Sequence, residues 1–476
     1  MKLFRFYLIN IFNLILPLLI FSAKPSSCQS IVNKLDEYVS AYYNSGDFNG
    51  CVLVAEKGKT IFKKAYGYTD YTRSTLLTTD YQFRLASVSK QFTAMAIMIL
   101  KERGKLNYDD KVNIYLKDFP YENITIRNLL NHTSGIPDYG SLLDKHWDAE
   151  NKKHLVATDR DVYALLIEYI PSLEFFPGDE LRYSNTGYII LALLVEEITG
   201  QSFQNFLSEN IFTSLGMSNS YVNPIDGKLD DEKRAKGFAV SMDGTSYIEK
   251  DWNYQNGMYG DGGVISTLDD LLLWDQALRS ETLVSDSTLK EAFTQVTLND
   301  GSTREYGFGW SVIKQDSGII VAHLGGWLGY TTEIMRDLSS DQTVIQLCNM
   351  PSRRLMFSLW NILNGRNVSV PEFINITFIV TPTITVGEDS IFITGNHPKL
   401  GSWNPARILL KKVSENNWQR KFQIEKGFEL EYKITRGSWD KEAVYKEGIT
   451  PENYNFQVQQ DTTIEIRIPF WKDTLD

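Results

Sequence analysis

The sequence is poor in the residues that build metal sites and disulfide frameworks. Its 476 residues include three cysteines and five histidines, and the histidines, at positions 132, 146, 154, 323 and 397, show no paired ligand spacing. A dedicated zinc site is therefore disfavoured. We expect neither a metal nor a cofactor.

Basic residues are outnumbered by acidic ones. The chain carries 48 Lys and Arg against 59 Asp and Glu, which gives a formal net charge of −11. Because there is no basic footprint, nucleic acid is not an expected partner. Beyond the N-terminal segment, no apolar run approaches the roughly 20 residues that a membrane-spanning helix requires, so we expect no transmembrane span. A chain of this length can instead bury two or three domain cores.

The N-terminal segment has the pattern of an export signal. Lys2 and Arg5 precede an apolar stretch over residues 6–21, and small residues then lead to Gln29. This predicts a signal peptide over residues 1–28, cleaved before Gln29, and a periplasmic or secreted protein. Lipid attachment at Cys28 is the less favoured alternative, because Pro25 stands where the bacterial lipoprotein pattern has a leucine-like residue.

Two cysteines remain after such cleavage, Cys51 and Cys348, and each lies in an apolar, strand-like run. In an oxidising compartment they could form a disulfide. Two buried thiols are the favoured interpretation, because a bridge requires a specific Cα geometry.

Three short residue sets carry the candidate chemistry, and they occur in the order Ser87-Val88-Ser89-Lys90, Tyr183-Ser184-Asn185 and His323-Leu324-Gly325. A match to the first set arises easily by chance. The order of the three sets and the sequence around each of them must therefore decide whether the match is meaningful. Ser87 precedes an apolar stretch over residues 91–100 that predicts a buried helix ended by Gly104. Since side chains three residues apart share a helical face, we expect Lys90 beside Ser87, where it can act as a base.

The other two sets lie at the ends of predicted elements. Tyr183 follows a turn signal at 177–179 and precedes an apolar helix over 187–200, which places it in a loop. Three other tyrosines are also followed two positions later by asparagine but lack that setting. His323 ends an apolar run over 318–322, so we expect it at the rim of a sheet. A serine, a lysine, a tyrosine and a cation beside a glycine together indicate serine acyl transfer.

These sets resemble the serine β-lactamase and penicillin-binding-protein superfamily, in its class C β-lactamase-like and D-alanyl-D-alanine carboxypeptidase-like branch. The similarity covers roughly residues 30–365. It includes the stretch Ile-Thr-Ile-Arg-Asn-Leu-Leu-Asn-His-Thr-Ser-Gly-Ile at 124–136, Phe176-Pro177-Gly178, and Gly-Gly-Val-Ile-Ser-Thr at 262–267.

The resemblance implies a role for each matching residue. Ser87 would be the acylated nucleophile, with Lys90 and Tyr183 as its activating pair. The substrate-binding residues would be Asn185, which donates a hydrogen bond, and His323, Gly325 and Gly326. Backbone N–H groups of Ser87 and Gly326 would hold the oxyanion. The sequence does not choose between lysine and tyrosine as the group that takes the serine proton.

The third set departs from the Lys-Thr-Gly of class C β-lactamases. Histidine at 323 resembles the variant in carboxypeptidases, D-aminopeptidases and some esterases of the family, and it disfavours β-lactam resistance. Because a histidine is only partly charged near neutral pH, we expect binding of a substrate carboxylate to weaken as pH rises through its titration.

The predicted fold class is α+β. Strands over 52–55 and 60–65 and later strands over 308–313, 319–322, 330–335 and 343–348 should build one antiparallel sheet, with flanking helices and an inserted helical region that carries Tyr183. This β-lactamase/transpeptidase-like domain would span residues 29–365. A linker over 366–372 would lead to a small all-β sandwich over 373–476.

The sandwich resembles starch-binding modules of the family 20 carbohydrate-binding type. The likeness rests on Thr-Gly-Asn-His-Pro-Lys-Leu-Gly-Ser-Trp at 394–403 and Glu-Tyr-Lys-Ile at 431–434. It implies sugar contacts by Trp403, Lys433 and Trp439, although the residues after Trp439 do not follow the family pattern. Trp403 and Trp439 as core residues are an equal alternative, whereas Trp418 and Trp471 are expected to be structural.

Two functions of different classes follow. The first is an exported serine hydrolase that acts through an acyl-enzyme on a D-amino-acid peptide, amide, β-lactam or ester, with a glycan such as starch as a second partner. The alternative is a non-catalytic peptide- or glycan-binding protein that retains the fold.

Overall fold

The structure is a computed structural model that describes residues 27–147, 156–224, 226, 232–383, 390–445, 449 and 452–474. Residues 1–26 of the predicted signal peptide over 1–28 lie outside the described residues. The α-helices are α1 Ser27–Asn44, α2 Lys90–Glu102, α3 Ile126–Leu130, α4 Gly140–His146, α5 Asp159–Tyr169, α6 Asn185–Thr199, α7 Phe203–Leu207, α8 Thr213–Leu215, α9 Leu268–Ala277, α10 Asp286–Ala292 and α11 Met356–Leu363. Within the described ranges, none of them is long and apolar enough to cross a membrane.

Strands occur at both ends of the first part of the chain and throughout the last part. Up to residue 348 they are β1 Gly50–Glu56, β2 Lys59–Tyr66, β3 Phe83–Arg84, β4 Tyr221–Val222, β5 Phe238–Val240, β6 Tyr247–Glu249, β7 Val264–Ser266, β8 Val296–Thr297, β9 Thr303–Arg304, β10 Ser311–Gln315, β11 Gly318–Trp327, β12 Tyr330–Asp337 and β13 Gln342–Cys348. The later strands are β14 Phe373–Pro382, β15 Phe392–Gly395, β16 Ile408–Leu409, β17 Lys411–Ser414, β18 Asn417–Glu425, β19 Glu429–Thr435, β20 Ala443–Val444, β21 Tyr454–Gln457, β22 Thr462–Ile468 and β23 Phe470–Trp471.

The first and last strands of the larger domain form one antiparallel sheet in the order β10-β11-β12-β13-β1-β2. Both faces of the sheet are covered. Cys51 and Leu53 of β1 face the core that contains α2 and α6, whereas Val52 and Val54 face a second core under α1 and α11. This double burial explains why β1 is a continuous apolar run instead of an alternating one. The predicted α+β class and sheet are confirmed.

The two cysteines are buried free thiols. Gly50 is the strand partner of Cys348, and Leu347 is the partner of Cys51, so the two cysteines are offset by one residue on neighbouring strands. Because side chains alternate between the faces of a sheet, they point into different cores. The preference for thiols over a disulfide is confirmed.

The last part of the chain is a sandwich of two four-stranded sheets, β17-β18-β14-β22 and β16-β15-β19-β21. Its core includes Ile376, Phe378, Trp418 and Trp471, so the last two residues are structural as expected. Helix α11 ends at Leu363 and β14 begins at Phe373. The exact domain boundaries stay a prediction.

Among the described residues, Lys399 and Arg420 are two of the sandwich residues that contact the larger domain. Lys399 donates to Ser45 O at 3.1 Å and pairs with Asp47 Oδ2 at 2.8 Å, directly after α1. On the other contact, Arg420 donates to Met242 O in the turn between β5 and β6.

Candidate active site

Ser87 lies in a tight 3₁₀ turn, Ala86–Ser89, between β3 and α2. The turn begins at Ala86, whose backbone is left-handed with φ of +49°. Val88 and Ser89 are buried, and the Ser89 hydroxyl accepts a hydrogen bond from Val264 N at 2.9 Å. Ser87 is the half-buried member of the turn, so its hydroxyl faces the cleft. The sequence predicted that Ser87 opens the buried helix, whereas α2 itself begins at Lys90.

Lys90 is fully buried and has three hydrogen-bond partners. Its Nζ lies 2.8 Å from Asn185 Oδ1, 2.8 Å from Asp261 O and 3.3 Å from Ser87 Oγ. The first two partners can only accept, whereas a serine hydroxyl can accept or donate. A neutral amine in this position would therefore direct its lone pair at the Ser87 hydroxyl.

Tyr183 packs its ring against the same lysine. Lys90 Nζ lies 5.0 Å from the centre of the Tyr183 ring, and 42% of the Tyr183 surface is exposed. Tyr183 stands in the loop just before α6, as predicted. The structure thus places Lys90 next to both Ser87 and Tyr183.

Asn185 is the first residue of α6, and both its backbone and its side chain are hydrogen-bonded. Its N–H donates to Asp138 Oδ2 at 2.8 Å, and its Oδ1 accepts from Lys90. The Nδ2 group then remains as the donor that can reach a substrate.

His323 is not the cation that the sequence suggested. It is 4% exposed, lies inside β11 instead of at its end, and uses both ring nitrogens within the protein. Nδ1 donates to Leu324 O at 2.9 Å, so Nε2 accepts from the Tyr306 hydroxyl at 3.0 Å. Burial, with repulsion from Lys90 as a smaller cause, lowers the pKa of His323 to about 3. The expected histidine titration near neutral pH was therefore wrong.

Gly325 and Gly326 lie on an edge of the sheet. Strand β10 pairs with β11 only as far as Ala322, so in the described structure the following residues of β11 have β12 as their one neighbouring strand. A Cβ at Gly325 would lie well under 3.0 Å from Leu85 O and from Thr332 Oγ1. A Cβ at Gly326 would meet only Arg354 Nη2, at 3.8 Å. Gly325 therefore allows β11 to approach the Ser87 turn, and Gly326 borders open space.

Arg354 is a cation that the sequence analysis did not identify. It donates to Gly325 O at 3.1 Å and lies 3.4 Å from Glu333 Oε1, and its side chain is 39% exposed. It stands just before α11, and no motif marks it. Among the described residues, no group of His, Cys, Asp or Glu side chains could hold a metal ion.

The three predicted sugar-binding residues share a second site. Trp403, Lys433 and Trp439 line a cavity of about 390 Å³ in the sandwich, together with Glu442 and Asn453. Trp403 is half-buried and Trp439 is 40% exposed, and neither belongs to the buried core of the sandwich. Lys433 pairs with Glu442 at 2.9 Å.

A serine in a tight turn, a buried lysine 3.3 Å from its hydroxyl and a free strand edge form an arrangement that fits serine acyl transfer. The chain belongs to the beta-lactamase family, whose model matches residues 35–359, and it is a serine hydrolase of that family. Residues 373–466 match the starch binding domain family. Both resemblances drawn from the sequence are confirmed.

Known relatives agree with this assignment. Penicillin-binding protein 4* of Bacillus subtilis (strain 168) is 37% identical over 341 residues, which cover 68% of this chain and 74% of that protein. A D-aminopeptidase of Brucella anthropi is 26% identical over 320 residues, which cover 66% of this chain but only 59% of that protein.

Solved structures share the fold. The octameric penicillin-binding protein homologue from Pyrococcus abyssi has a TM-score of 0.61 at 25% identity and covers 71% of this chain and 78% of its own. The D-amino acid amidase from Ochrobactrum anthropi SV3 has a TM-score of 0.56 at 22% identity, with coverage of 71% and 96%. The second likeness concerns the fold alone.

Proposed function

We propose that this protein hydrolyses amide bonds of D-amino-acid peptides or amides through an acyl-enzyme on Ser87. The observation that carries the proposal is the placement of Lys90 Nζ, 3.3 Å from Ser87 Oγ and tied to two acceptors that cannot donate. That geometry leaves one position on the amine for the serine proton.

In the first step, Ser87 Oγ attacks the substrate carbonyl carbon and its proton passes to Lys90. The carbonyl oxygen becomes an oxyanion, held by the N–H groups of Ser87 and Gly326, each of which contributes about 100- to 1000-fold in rate. The C–N bond then breaks as the Tyr183 hydroxyl donates its proton to the leaving amine and accepts the proton held by Lys90, which becomes neutral again. A water molecule then takes the place of the amine: it attacks the ester carbonyl and gives its proton to Tyr183 and Lys90. The bond between the carbonyl carbon and Ser87 Oγ breaks, the acid leaves, and Ser87 Oγ regains its proton.

D-amino-acid substrates are supported by the relatives, which include a D-aminopeptidase. β-Lactams are less favoured because His323 is neutral where a permanent cation would bind their carboxylate. The proposed carboxylate-binding group is Arg354, which reaches Gly325 O on the free edge of β11. Its guanidinium can donate two parallel hydrogen bonds to a carboxylate.

Covalent labelling tests the proposed nucleophile. The full chain is treated with a fluorophosphonate or fluorescent penicillin, and the adduct is mapped by mass. An adduct on Ser87 that disappears in Ser87→Ala supports the proposal. An unlabelled, folded chain that still binds peptide or glycan would instead support the non-catalytic alternative. A panel of D-alanyl peptides, D-amino acid amides, nitrocefin and short esters then identifies the reaction.

Arg354→Ala tests the carboxylate site. We expect KM for a D-alanyl-D-alanine peptide to rise about 10- to 100-fold, because a charged hydrogen-bond pair is lost, while KM for an amide without a carboxylate stays nearly constant. Arg353→Ala is the matched control, since Arg353 is a neighbouring exposed arginine. Equal effects on both substrates would refute the assignment.

The sandwich is proposed to bind an α-glucan such as starch. The supporting observation is the shared cavity of Trp403, Lys433 and Trp439, because flat indole rings suit the apolar face of a sugar ring. Retention on starch should be lost in Trp403→Ala and Trp439→Ala and kept in Phe470→Ala, which removes an exposed aromatic residue outside the cavity. Retention that survives both tryptophan substitutions would end this proposal.

Export is proposed from the N-terminal sequence. Lys2 and Arg5 before an apolar stretch are typical of a signal peptide. N-terminal sequencing of the protein recovered outside the cytoplasm should begin at Gln29, whereas an acylated Cys28 would indicate a lipoprotein. Retention of the uncleaved chain in the cytoplasm would contradict export.

A further inference from the structure

His132 lies between the helix that precedes it and the segment that carries Tyr183. It follows α3 after one residue, and its backbone is left-handed with φ of +59°. This turn directs the ring into the protein, where it is 2% exposed. In the sequence, His132 lies within the stretch at 124–136, and no role was predicted for it.

Two hydrogen bonds tie the residues on each side of Tyr183 to His132. Arg182 N donates to His132 O at 2.9 Å, and Ser184 N donates to His132 Nδ1 at 3.3 Å. Further along the same two segments, Gly178 N donates to Thr133 O at 2.8 Å. Hydrogen bonds from the loop before α6 to His132 and Thr133 therefore hold that loop along its length.

The ring of His132 also contacts Tyr183 directly. Their ring centres are 4.2 Å apart with an interplanar angle of 37°. Tyr306 and Tyr188 enclose the same imidazole at 4.7 Å and 5.2 Å. The Tyr183 ring thus has Lys90 Nζ at 5.0 Å and His132 at 4.2 Å, which restricts where its hydroxyl can point.

A histidine fits this position better than an apolar side chain would. Because Nδ1 accepts from Ser184 N, the neutral ring carries its proton on Nε2. That Nε2 is buried without a hydrogen-bond partner and is enclosed by the aromatic rings. A buried polar atom without a partner costs free energy, so packing alone does not explain a histidine here.

We propose that His132 is a positioning residue that holds Tyr183 against Lys90 for proton transfer. The inference rests on the proposed function, because it requires Tyr183 to relay a proton. A displacement of about 1 Å of such a group can slow a reaction about 100-fold.

The test is a double-mutant cycle with Tyr183→Phe, read out as the rate at which a fluorophosphonate labels Ser87 and as kcat and KM for a D-amino acid amide. His132→Asn keeps an acceptor for Ser184 N and tolerates the left-handed backbone, and it removes the ring. His132→Phe keeps a ring and removes the acceptor. Thermal midpoints of all variants report their folding.

We expect each substitution to lower the labelling rate and kcat about 10- to 100-fold, with KM changed less than about threefold. In the Tyr183→Phe background the same substitutions should change the rate less than about threefold, because the hydroxyl that they misplace is already absent. Equal losses in both backgrounds, or no loss in either, would overturn the positioning role while leaving Ser87 as the nucleophile. An unsubstituted chain without any adduct on Ser87 would overturn both this inference and the proposed function.

Discussion

The two adjacent glycines of β11 offer a matched pair of substitutions with opposite expected effects. In Gly325→Ala, the new methyl group would lie well under 3.0 Å from Leu85 O and Thr332 Oγ1, and 3.3 Å from Ala86 Cβ. Leu85 and Ala86 lead directly into the Ser87 turn. The methyl group must therefore push β11 and the Ser87 turn apart.

The magnitude follows from the geometry. Overpacking of a closed site costs about 1–3 kcal/mol, so the thermal midpoint should fall by a few degrees. The same separation moves Ser87 relative to the strand edge by an amount on the order of 1 Å, which should slow acylation about 100-fold. The labelling rate with a fluorophosphonate measures the second effect, and calorimetry measures the first.

Gly326→Ala is the control for stability. Its methyl group would meet only Arg354 Nη2 at 3.8 Å, so the thermal midpoint should stay within about 1 °C of the unsubstituted value. A lower labelling rate of the Gly326→Ala variant is compatible with this prediction, because Gly326 borders the proposed oxyanion site. A Gly325→Ala variant with unchanged midpoint and labelling rate would show that β11 does not press on the Ser87 turn, and the reasoning would be refuted.

Three further predictions concern buried charge and the domain contact. Because burial lowers the pKa of His323 to about 3, KM for a carboxylate substrate should show no inflection near pH 6.5 from this residue. The free energy of unfolding should instead fall as pH is lowered from about 6.5 to about 3, since only the unfolded chain takes up the proton, and denaturant titrations of His323→Asn should show a weaker dependence. Burial raises the pKa of Glu333 from about 4.5 to about 7. The free energy of unfolding should therefore fall by an amount on the order of 3 kcal/mol as pH rises from about 4.5 to about 7. This fall should be absent in Glu333→Gln, and an unaltered pH dependence of that variant would contradict the prediction. Lys399→Ala should weaken the contact with Asp47 by about 1 kcal/mol and separate two calorimetric transitions without changing the rate of Ser87 labelling, whereas a single unshifted transition would argue against a stabilising contact.

The fold was largely predictable because its signals are local. Apolar runs, turn residues and glycines marked most strands of the large sheet and the helix α6 within a few residues. Errors occurred where pairing decides the ends of a strand. The strand expected over 308–313 is β10 Ser311–Gln315, and the strand expected over 319–322 is β11 Gly318–Trp327. Hydrogen bonds with β12 extend β11 through the polar His323 and the two glycines, and no local propensity reports that partner.

The candidate site was predictable only where motifs place residues close in sequence or in a known order. Ser87 and Lys90 are three residues apart, so helical geometry alone brings them together. Arg354 was missed because its position depends on how the start of α11 packs on β11 and β12, which lie more than 20 residues away. The charge state of His323 was misjudged because sequence does not show that both ring nitrogens are used internally.

Position 323 carries a neutral histidine where class C β-lactamases have a lysine, so positive charge in this site must be held elsewhere. An ammonium at position 323 would be desolvated, and it would be repelled by Lys90 whenever Lys90 carries the serine proton. Arg354 avoids these costs, because its side chain is 39% exposed and has the Glu333 carboxyl 3.4 Å away. If Arg354 binds the substrate carboxylate as proposed, the buried residues around Lys90 have to serve proton transfer only. On this argument, restoring a lysine in His323→Lys should destabilise the fold instead of improving β-lactam binding, since the new ammonium would displace Tyr306 and face Lys90. Tighter nitrocefin binding by a variant of undiminished stability would show that the neutral ring is not imposed by its surroundings.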